Sequence, residues 1–294
     1  MQKLTTITEL RAARAALTGT VAFVPTMGFL HQGHLSLMRR ALELCDHLVV
    51  SVFVNPTQFG PGEDLDNYPR DLAGDAEKCR LLGCDLFFTP TSDHVYGDDH
   101  STKVIVDGLD QTLCGPSRPG HFDGVTTVVA KLFNIVEPDV AIFGEKDYQQ
   151  LAILRRMVRD LNFDVDVKGA PIVREPDGLA MSSRNRYLSD DERRSARCLS
   201  RALVAAYRAH RRDRSLSVGH LLDIATGRIE QEEGAHIDYV ECVHPETLSA
   251  LAEDEPIGDD GAVLATAVTI GPARLIDNLR LDKPLPAGPL RSLA

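Results

Sequence analysis

The chain reads as α/β: a Rossmann-like doubly wound parallel sheet followed by a smaller C-terminal α+β domain. Three observations predict this. Short, nearly unbroken apolar runs recur at Val21–Val24, His47–Asn55 and Val140–Phe143, as expected of parallel strands buried on both faces. Each run passes through a glycine- or proline-containing loop into a helical periodicity, the alternation of a wound parallel sheet. Beyond about residue 180 the pattern becomes two helices followed by three strand-like runs.

The 294 residues are enough for two domains, which the change of pattern near Met181 places at 1–180 and 181–294. A hydrophobic share of 43% and a charged share of 26% are ordinary for a soluble globular chain. The net charge of −11, from 32 basic and 43 acidic residues, argues against a nucleic-acid surface. MQKLTTITEL lacks a signal pattern, and no apolar run has the length of a membrane span. The expectation is therefore a cytoplasmic protein with no membrane or nucleic-acid partner. Cys45, Cys79, Cys84, Cys114, Cys198 and Cys242 are scattered through apolar or helical contexts, which predicts reduced, partly buried thiols.

Taken in order, Thr6 and Glu9 make a capping box for a helix running to Leu17. The strand Val21–Val24 is expected to stop at Pro25, and Thr26-Met27-Gly28 to turn the chain. The helix that follows begins near Gly33 and His34, with Leu35, Leu37, Met38, Leu42 and Leu44 on its apolar face. His47–Asn55 ends in the breaker-rich loop NPTQFGPG. A helix over Asp71–Leu82 and a strand over Asp85–Phe88 follow, then a short strand candidate at Thr102–Val106. Leu109–Gly124, with three glycines and two prolines, reads as a loop too long to be idle. Helix Val125–Val136, strand Val140–Phe143, helix Tyr148–Leu161 and strand Val165–Val173 complete the first domain. Beyond Ser182-Ser183-Arg184-Asn185-Arg186, Ser189 and Glu192 cap one long helix to about His210. A helix over Val218–Glu232 and strands at Ile237–Val243, Val263–Ile270 and Arg274–Leu279 finish the chain.

The densest chemistry lies in PTMGFLHQGH. A strand feeds a glycine loop, which feeds a helix start whose unpaired N–H groups and dipole suit a phosphate. His31 and His34 stand there three apart, on one side of a helical turn. An isolated histidine is ordinarily a surface or satisfied core residue, and half a zinc site is the other alternative. No close Cys pair accompanies them, so no metal site is expected. Strand, loop, HxGH and helix in that order resemble the nucleotidylyltransferases and class I aminoacyl-tRNA synthetases, whose histidines contact ATP phosphates.

Four loops fall at strand ends: PTMGFLHQGH, NPTQFG, GEKDYQQ and MSSRN. With VSVFVNPTQFGPGEDLDNYPRD, GHFDGVTTVVAKLFNIVEPDVAIFGEKDYQQL and DGLAMSSRNRYLS they resemble the pantoate–β-alanine ligase (pantothenate synthetase) family over nearly the whole chain. The resemblance implies an ATP-dependent condensation of pantoate with β-alanine through pantoyl adenylate, releasing pyrophosphate and then AMP. It implies ATP as a substrate with Mg²⁺, no tightly bound organic cofactor, a homodimer, and a C-terminal domain acting as a lid.

By the same resemblance, Met27, Gly28, Phe29, Leu30, His31, Gln32, Gly33 and His34 line the phosphate pocket. His34, His31 and Lys146 are the catalytic candidates. The family labels His34 a proton donor, but no alkoxide needs a proton here, and a hydrogen-bond donor to phosphate oxygens fits the chemistry better. Gly144, Glu145, Lys146 and Asp147 would hold the nucleotide, and Val173 would pack near adenine. Met181, Ser182, Ser183 and Arg184 would close over the triphosphate, while Gln58 and Gln150 would bind pantoate. MSSRN lacks the lysines of the class I synthetase loop, a charge that Lys146 is placed to supply. A nucleotidylyltransferase that keeps the nucleotide on its product is the rival enzyme, distinguished by releasing no AMP. An ATP-dependent sensor on the same scaffold is the rival outside catalysis.

Overall fold

The computed structural model describes residues 1–292. Its elements in chain order are β1 (Gln2–Leu4), α1 (Ile7–Ala15), β2 (Val21–Thr26), α2 (Gln32–Leu44), β3 (His47–Val52), α3 (Leu72–Leu81), β4 (Leu86–Phe88), α4 (Ser92–Tyr96), α5 (Cys114–Ser117) and α6 (His121–Val136). There follow β5 (Val140–Gly144), α7 (Tyr148–Asp160), β6 (Asp166–Ala170), α8 (Asp190–Ala196), α9 (Cys198–Arg212), α10 (Val218–Ile229), β7 (Ala235–Val243), β8 (Val263–Ile270), β9 (Ala273–Arg280) and α11 (Pro289–Ser292). Among the described residues no helix is long and apolar enough to cross a membrane.

By contacts the chain forms two compact units. One comprises Met1–Asp107, Arg118–Glu145 and Ile153–Ala170; the other comprises Gly108–Ser117, Lys146–Ala152 and the chain from Pro171 onward. The sequence reading draws one boundary at 180/181. The contact division falls earlier and takes two internal segments into the second unit.

The first unit carries a six-stranded, all-parallel sheet in the order β1-β4-β3-β2-β5-β6. Side chains alternate between faces along each strand. Ala22, Val24, Leu48, Val50, Phe87 and Ile142 meet Leu35, Met38 and Ala41 of α2 and Ala76 and Cys79 of α3 in one core. The alternate residues Phe23, Val49 and Phe88 are equally buried, so both faces are covered and the sheet is doubly wound, as the apolar runs require. Strand order reverses at β2: β3 and β4 follow on one side, β5 and β6 on the other. In such sheets ligands collect beyond the carboxyl ends of the strands at that reversal. Here those ends lead into the loop after Thr26 and the turn after Gly144.

Several expectations need correction. Pro25 does not end β2 but lies inside it, in register with Ser51. β5 pairs with β2 only at Ala22 and Phe23, so beyond Phe23 one flank of β2 has no ladder for a proline to break. No strand forms at 102–106. The Val104 N–H donates to Thr127 Oγ1 at 3.0 Å and its carbonyl accepts from Thr126, so α6 side chains take the place of a ladder. α6 begins at His121, inside the expected loop, and α5 forms within the same stretch. β1 has no counterpart in the sequence pattern, because three residues on the sheet edge carry too little periodicity to read.

The second unit packs helices on a three-stranded antiparallel sheet, β7-β8-β9. Leu199, Leu203 and Tyr207 of α9 and Leu221 and Ala225 of α10 meet Leu264 and Val268 of β8 and Leu275 and Leu279 of β9. The Ser189–Glu192 capping box is present, but the long helix is two, α8 and α9, divided at Arg197. Arg197 stays right-handed, with φ −66° and ψ −11°. The apolar period therefore runs through the break, and no Gly or Pro marks it.

Candidate active site

The loop leaving β2 turns with Gly28 at φ 87° and Phe29 at φ 52°, then enters α2 through His31. His31 is the N-cap: its Nδ1 accepts from Gly33 N at 3.1 Å, and His34 Nδ1 accepts from His31 N at 3.3 Å. This is a reciprocal capping box in which two imidazoles replace the usual Ser and Glu. The ring centroids lie 4.1 Å apart. Because both Nδ1 atoms are acceptors, each neutral ring carries its proton on Nε2. The cap thus sets the tautomer that presents an N–H donor.

After β3, Asn55 caps the turn Pro56–Gln58. Asn55 is fully buried. Its Oδ1 accepts from Thr57 Oγ1 at 3.0 Å and from the Tyr96 hydroxyl at 2.6 Å, while Nδ2 donates to Gln58 Oε1 at 3.2 Å and Gly124 O at 3.1 Å. Gln58 Nε2 in turn donates to Met27 Sδ at 2.9 Å, so two expected site residues on different loops meet. Gly124 makes this possible: a Cβ there would lie 2.3 Å from Thr57 O, and α6 could not approach the turn.

His121 Nδ1 lies 2.7 Å from Gln58 O, and Arg118 grips Glu63 through Nε and Nη2, each at 2.7 Å. Burial alone would raise the Glu63 carboxyl, but Arg118's hydrogen bonds and charge outweigh it and hold the group below its ordinary value.

In the second unit, Lys146 lies in a tight turn with Nζ 3.9 Å from Asp147 Oδ1. Asn278 Nδ2 donates to Lys146 O at 2.9 Å. Gln150 is half-buried on α7. Its neighbour Gln149 is buried, donating to Leu109 O at 2.9 Å and Thr112 O at 2.8 Å and accepting from Cys114 N at 2.9 Å.

Val173 and Met181 face each other across a short hairpin, Met181 N donating to Val173 O at 2.9 Å. Ser182 caps the turn Ser183–Tyr187 by accepting from Arg184 N at 3.3 Å. Arg174 anchors this hairpin to β9 through a bidentate pair with Asp277 at 2.6 and 2.8 Å, with side chains only 5% and 1% exposed.

A family model for Pantoate-beta-alanine ligase matches residues 2–280. The chain belongs to that family. Among its ligase relatives, the pantothenate synthetase of Syntrophotalea carbinolica is 54% identical over 262 residues, 88% of this chain and 89% of that protein. That of Geobacter sulfurreducens is 53% identical over 266 residues, 90% of this chain and 92% of that protein. A solved pantothenate synthetase from Thermus thermophilus is 48% identical, with a TM-score of 0.89 over 96% of this chain and 99% of that one. The ligase of Francisella tularensis, solved with β-γ ATP and β-alanine, is 31% identical with a TM-score of 0.77 over 97% of this chain and 99% of its own.

For this ligase, sequence reasoning missed the residues that hold the loops. Asp277 and Asn278 are a polar pair within the apolar run of β9, a signal that was readable. Asn55 follows a buried strand directly and was readable too. Asp75, buried on α3 and bonded to the Phe29 and Leu30 N–H groups, left no mark in the helical pattern.

Proposed function

We propose that this ligase joins pantoate to β-alanine in two steps on one site. The pantoate carboxylate attacks the α-phosphorus of ATP, forming an acyl–phosphate bond and expelling pyrophosphate. The amine of β-alanine then attacks the acyl carbon, loses a proton, and displaces AMP to leave the amide. Both steps concentrate negative charge, so catalysis is mainly positioning and electrostatic stabilisation.

The observation that carries this reading is the double-histidine cap at the amino end of α2, in a chain matched along residues 2–280. Two Nε2–H donors at a helix amino end are the kind of group that stabilises a developing phosphate charge, which supports the reading. His34 is assigned as the principal donor with His31 beside it, and Lys146 as a compact cation on phosphate. The segment from Met27 to His34 and the residues Gly144, Glu145, Lys146 and Asp147 are assigned to the nucleotide. Val173 is assigned to adenine, and Met181, Ser182, Ser183 and Arg184 to closure over the triphosphate. Gln58 and Gln150 are assigned to pantoate, Gln58 also lying near β-alanine.

Magnesium enters as part of MgATP, since such ions keep water and substrate oxygens as ligands. Among the described residues no group of three His, Cys, Asp or Glu side chains converges as a metal centre. A cytoplasmic homodimer, with residues 181–294 as its lid domain, completes the proposal. Light scattering of the full chain tests the dimer.

The deciding experiment is exchange of labelled pyrophosphate into ATP. It should require pantoate but not β-alanine. Exchange that needs β-alanine, or none from folded protein, overturns the adenylate route.

A further inference from the structure

Asp75 lies on α3, outside the four loops, and is 1% exposed. Its two oxygens accept from consecutive backbone N–H groups of the loop after β2: Phe29 N to Oδ2 and Leu30 N to Oδ1, each at 2.7 Å. Bonds of this length to an ionised acceptor are the strong kind. Lys78, one turn further along α3, lies 3.7 Å from Oδ1.

The loop needs such a hold. Phe29 sits at φ 52°, a left-handed conformation that a bulky residue keeps only where its surroundings over-determine it. Thr26 Oγ1 adds a tether, accepting from Gly28 N at 3.1 Å while donating to Ser51 O at 2.8 Å. A Cβ on Gly28 would lie 2.7 Å from Val52 Cγ1 and 3.0 Å from Asp75 Oδ2, so the glycine also makes room for the carboxylate.

In ordinary phosphate-binding loops, successive backbone N–H groups point at the ligand. Here Phe29 and Leu30 give theirs to a protein carboxylate, and His31 and Gly33 give theirs to imidazole nitrogens. We infer that Asp75 is a positioning residue for adenylation: a built-in carboxylate takes the place of a ligand anion on the loop's own amides. It fixes the left-handed turn and leaves phosphate recognition to the side chains of His31 and His34. The link to ATP rests on the proposed function; the hold on the loop does not. Asparagine cannot replace it, because it offers one acceptor and sets an NH₂ donor against the second N–H.

The test is amide hydrogen exchange read by NMR on the full chain, with and without a non-hydrolysable ATP analogue, together with pyrophosphate exchange by wild type and Asp75→Asn. In wild type the Phe29 and Leu30 amides should be protected before nucleotide is added and remain so afterwards. In Asp75→Asn both should lose protection while Ala22 and Phe23 in β2 keep theirs. The kcat for pyrophosphate exchange should fall about tenfold or more, with the KM for pantoate within about twofold. Amides that exchange freely in nucleotide-free wild type, or gain protection only on adding the analogue, overturn the inference. So does full kcat in Asp75→Asn with both amides exposed. If the variant does not fold, the wild-type amides decide alone. If wild type shows no pantoate-dependent exchange, the proposed function fails, while the amides still judge the role of Asp75 in the loop.

Discussion

Asp277 and Asn278 are neighbours on β9, yet they secure two different segments: Asp277 holds the Val173–Met181 hairpin through Arg174, and Asn278 holds the Lys146 turn through its carbonyl. Removing Asp277 leaves a buried guanidinium without its partner. Asp277→Ala is expected to lose about 3–5 kcal/mol in urea unfolding, the usual cost of breaking a buried pair from one side. Asn278→Ala should lose only about 1 kcal/mol but raise the KM for ATP. Equal stability losses in the two variants would contradict this division of labour.

His34→Ala removes both a donor and half of a cap. The cap accounts for about 1 kcal/mol of stability, whereas removal of a preorganised donor costs about 10²-fold or more in rate. Adenylation measured by pyrophosphate exchange should therefore collapse while the melting temperature falls by only a few degrees. Adenylation within a few-fold of wild type would refute the assigned role.

Glu63 gives a pH signature. A carboxyl held below its unfolded pKa contributes stability that is fully present above that value and is lost as pH falls through the folded one. For Glu63 the loss occurs below about pH 4.3, the ordinary glutamate value, because Arg118 overcomes the effect of burial. The stability difference between wild type and Glu63→Gln should shrink as pH drops through this window. A difference independent of pH down to about 2 would mean that the Arg118 pair does not set this titration.

Gly124→Ala places a methyl group 2.3 Å from Thr57 O. The obstacle is backbone, which cannot swing aside, so the Pro56–Gln58 turn must shift. A destabilisation of about 1–3 kcal/mol is expected, and the KM for pantoate should rise more than that for ATP. An unchanged pantoate KM would separate Gln58 from pantoate binding.

Gln58 and Gln150 are assigned to pantoate on the ground that amide donors and acceptors suit its hydroxyls and would leave its carboxylate nucleophilic. Gln58→Ala and Gln150→Ala should weaken pantoate use more than ATP binding. Pantoate lacking its 2-hydroxyl should suffer more than pantoate lacking one methyl, because the site's polar groups are then left unpaired. Kinetics on the three acids decide this, and equal use of pantoate and the deoxy acid would remove both glutamines from the assignment.

The fold class was legible because parallel strands buried on both faces must be apolar at nearly every position, as in Phe23-Val24 and Leu48-Val49-Val50. The four loops were legible through their joint resemblance to the ligase family, since each alone has the composition of an ordinary loop. By itself, then, the sequence determined the wound sheet, the capping boxes at Thr6 and Ser189, and the candidates His31, His34, Gln58 and Lys146. Tertiary structure alone decided what holds them. Pro25 lies within β2 because a neighbouring strand stops short, and the α8–α9 break at Arg197 leaves the apolar period intact. Asp75, Asn55, Gln149 and Asn278 act through hydrogen bonds to backbone groups distant in sequence, and Asp277 through the side chain of the distant Arg174. Such bonds depend on where the carbonyls and N–H groups of other segments come to lie, and no local periodicity carries that information.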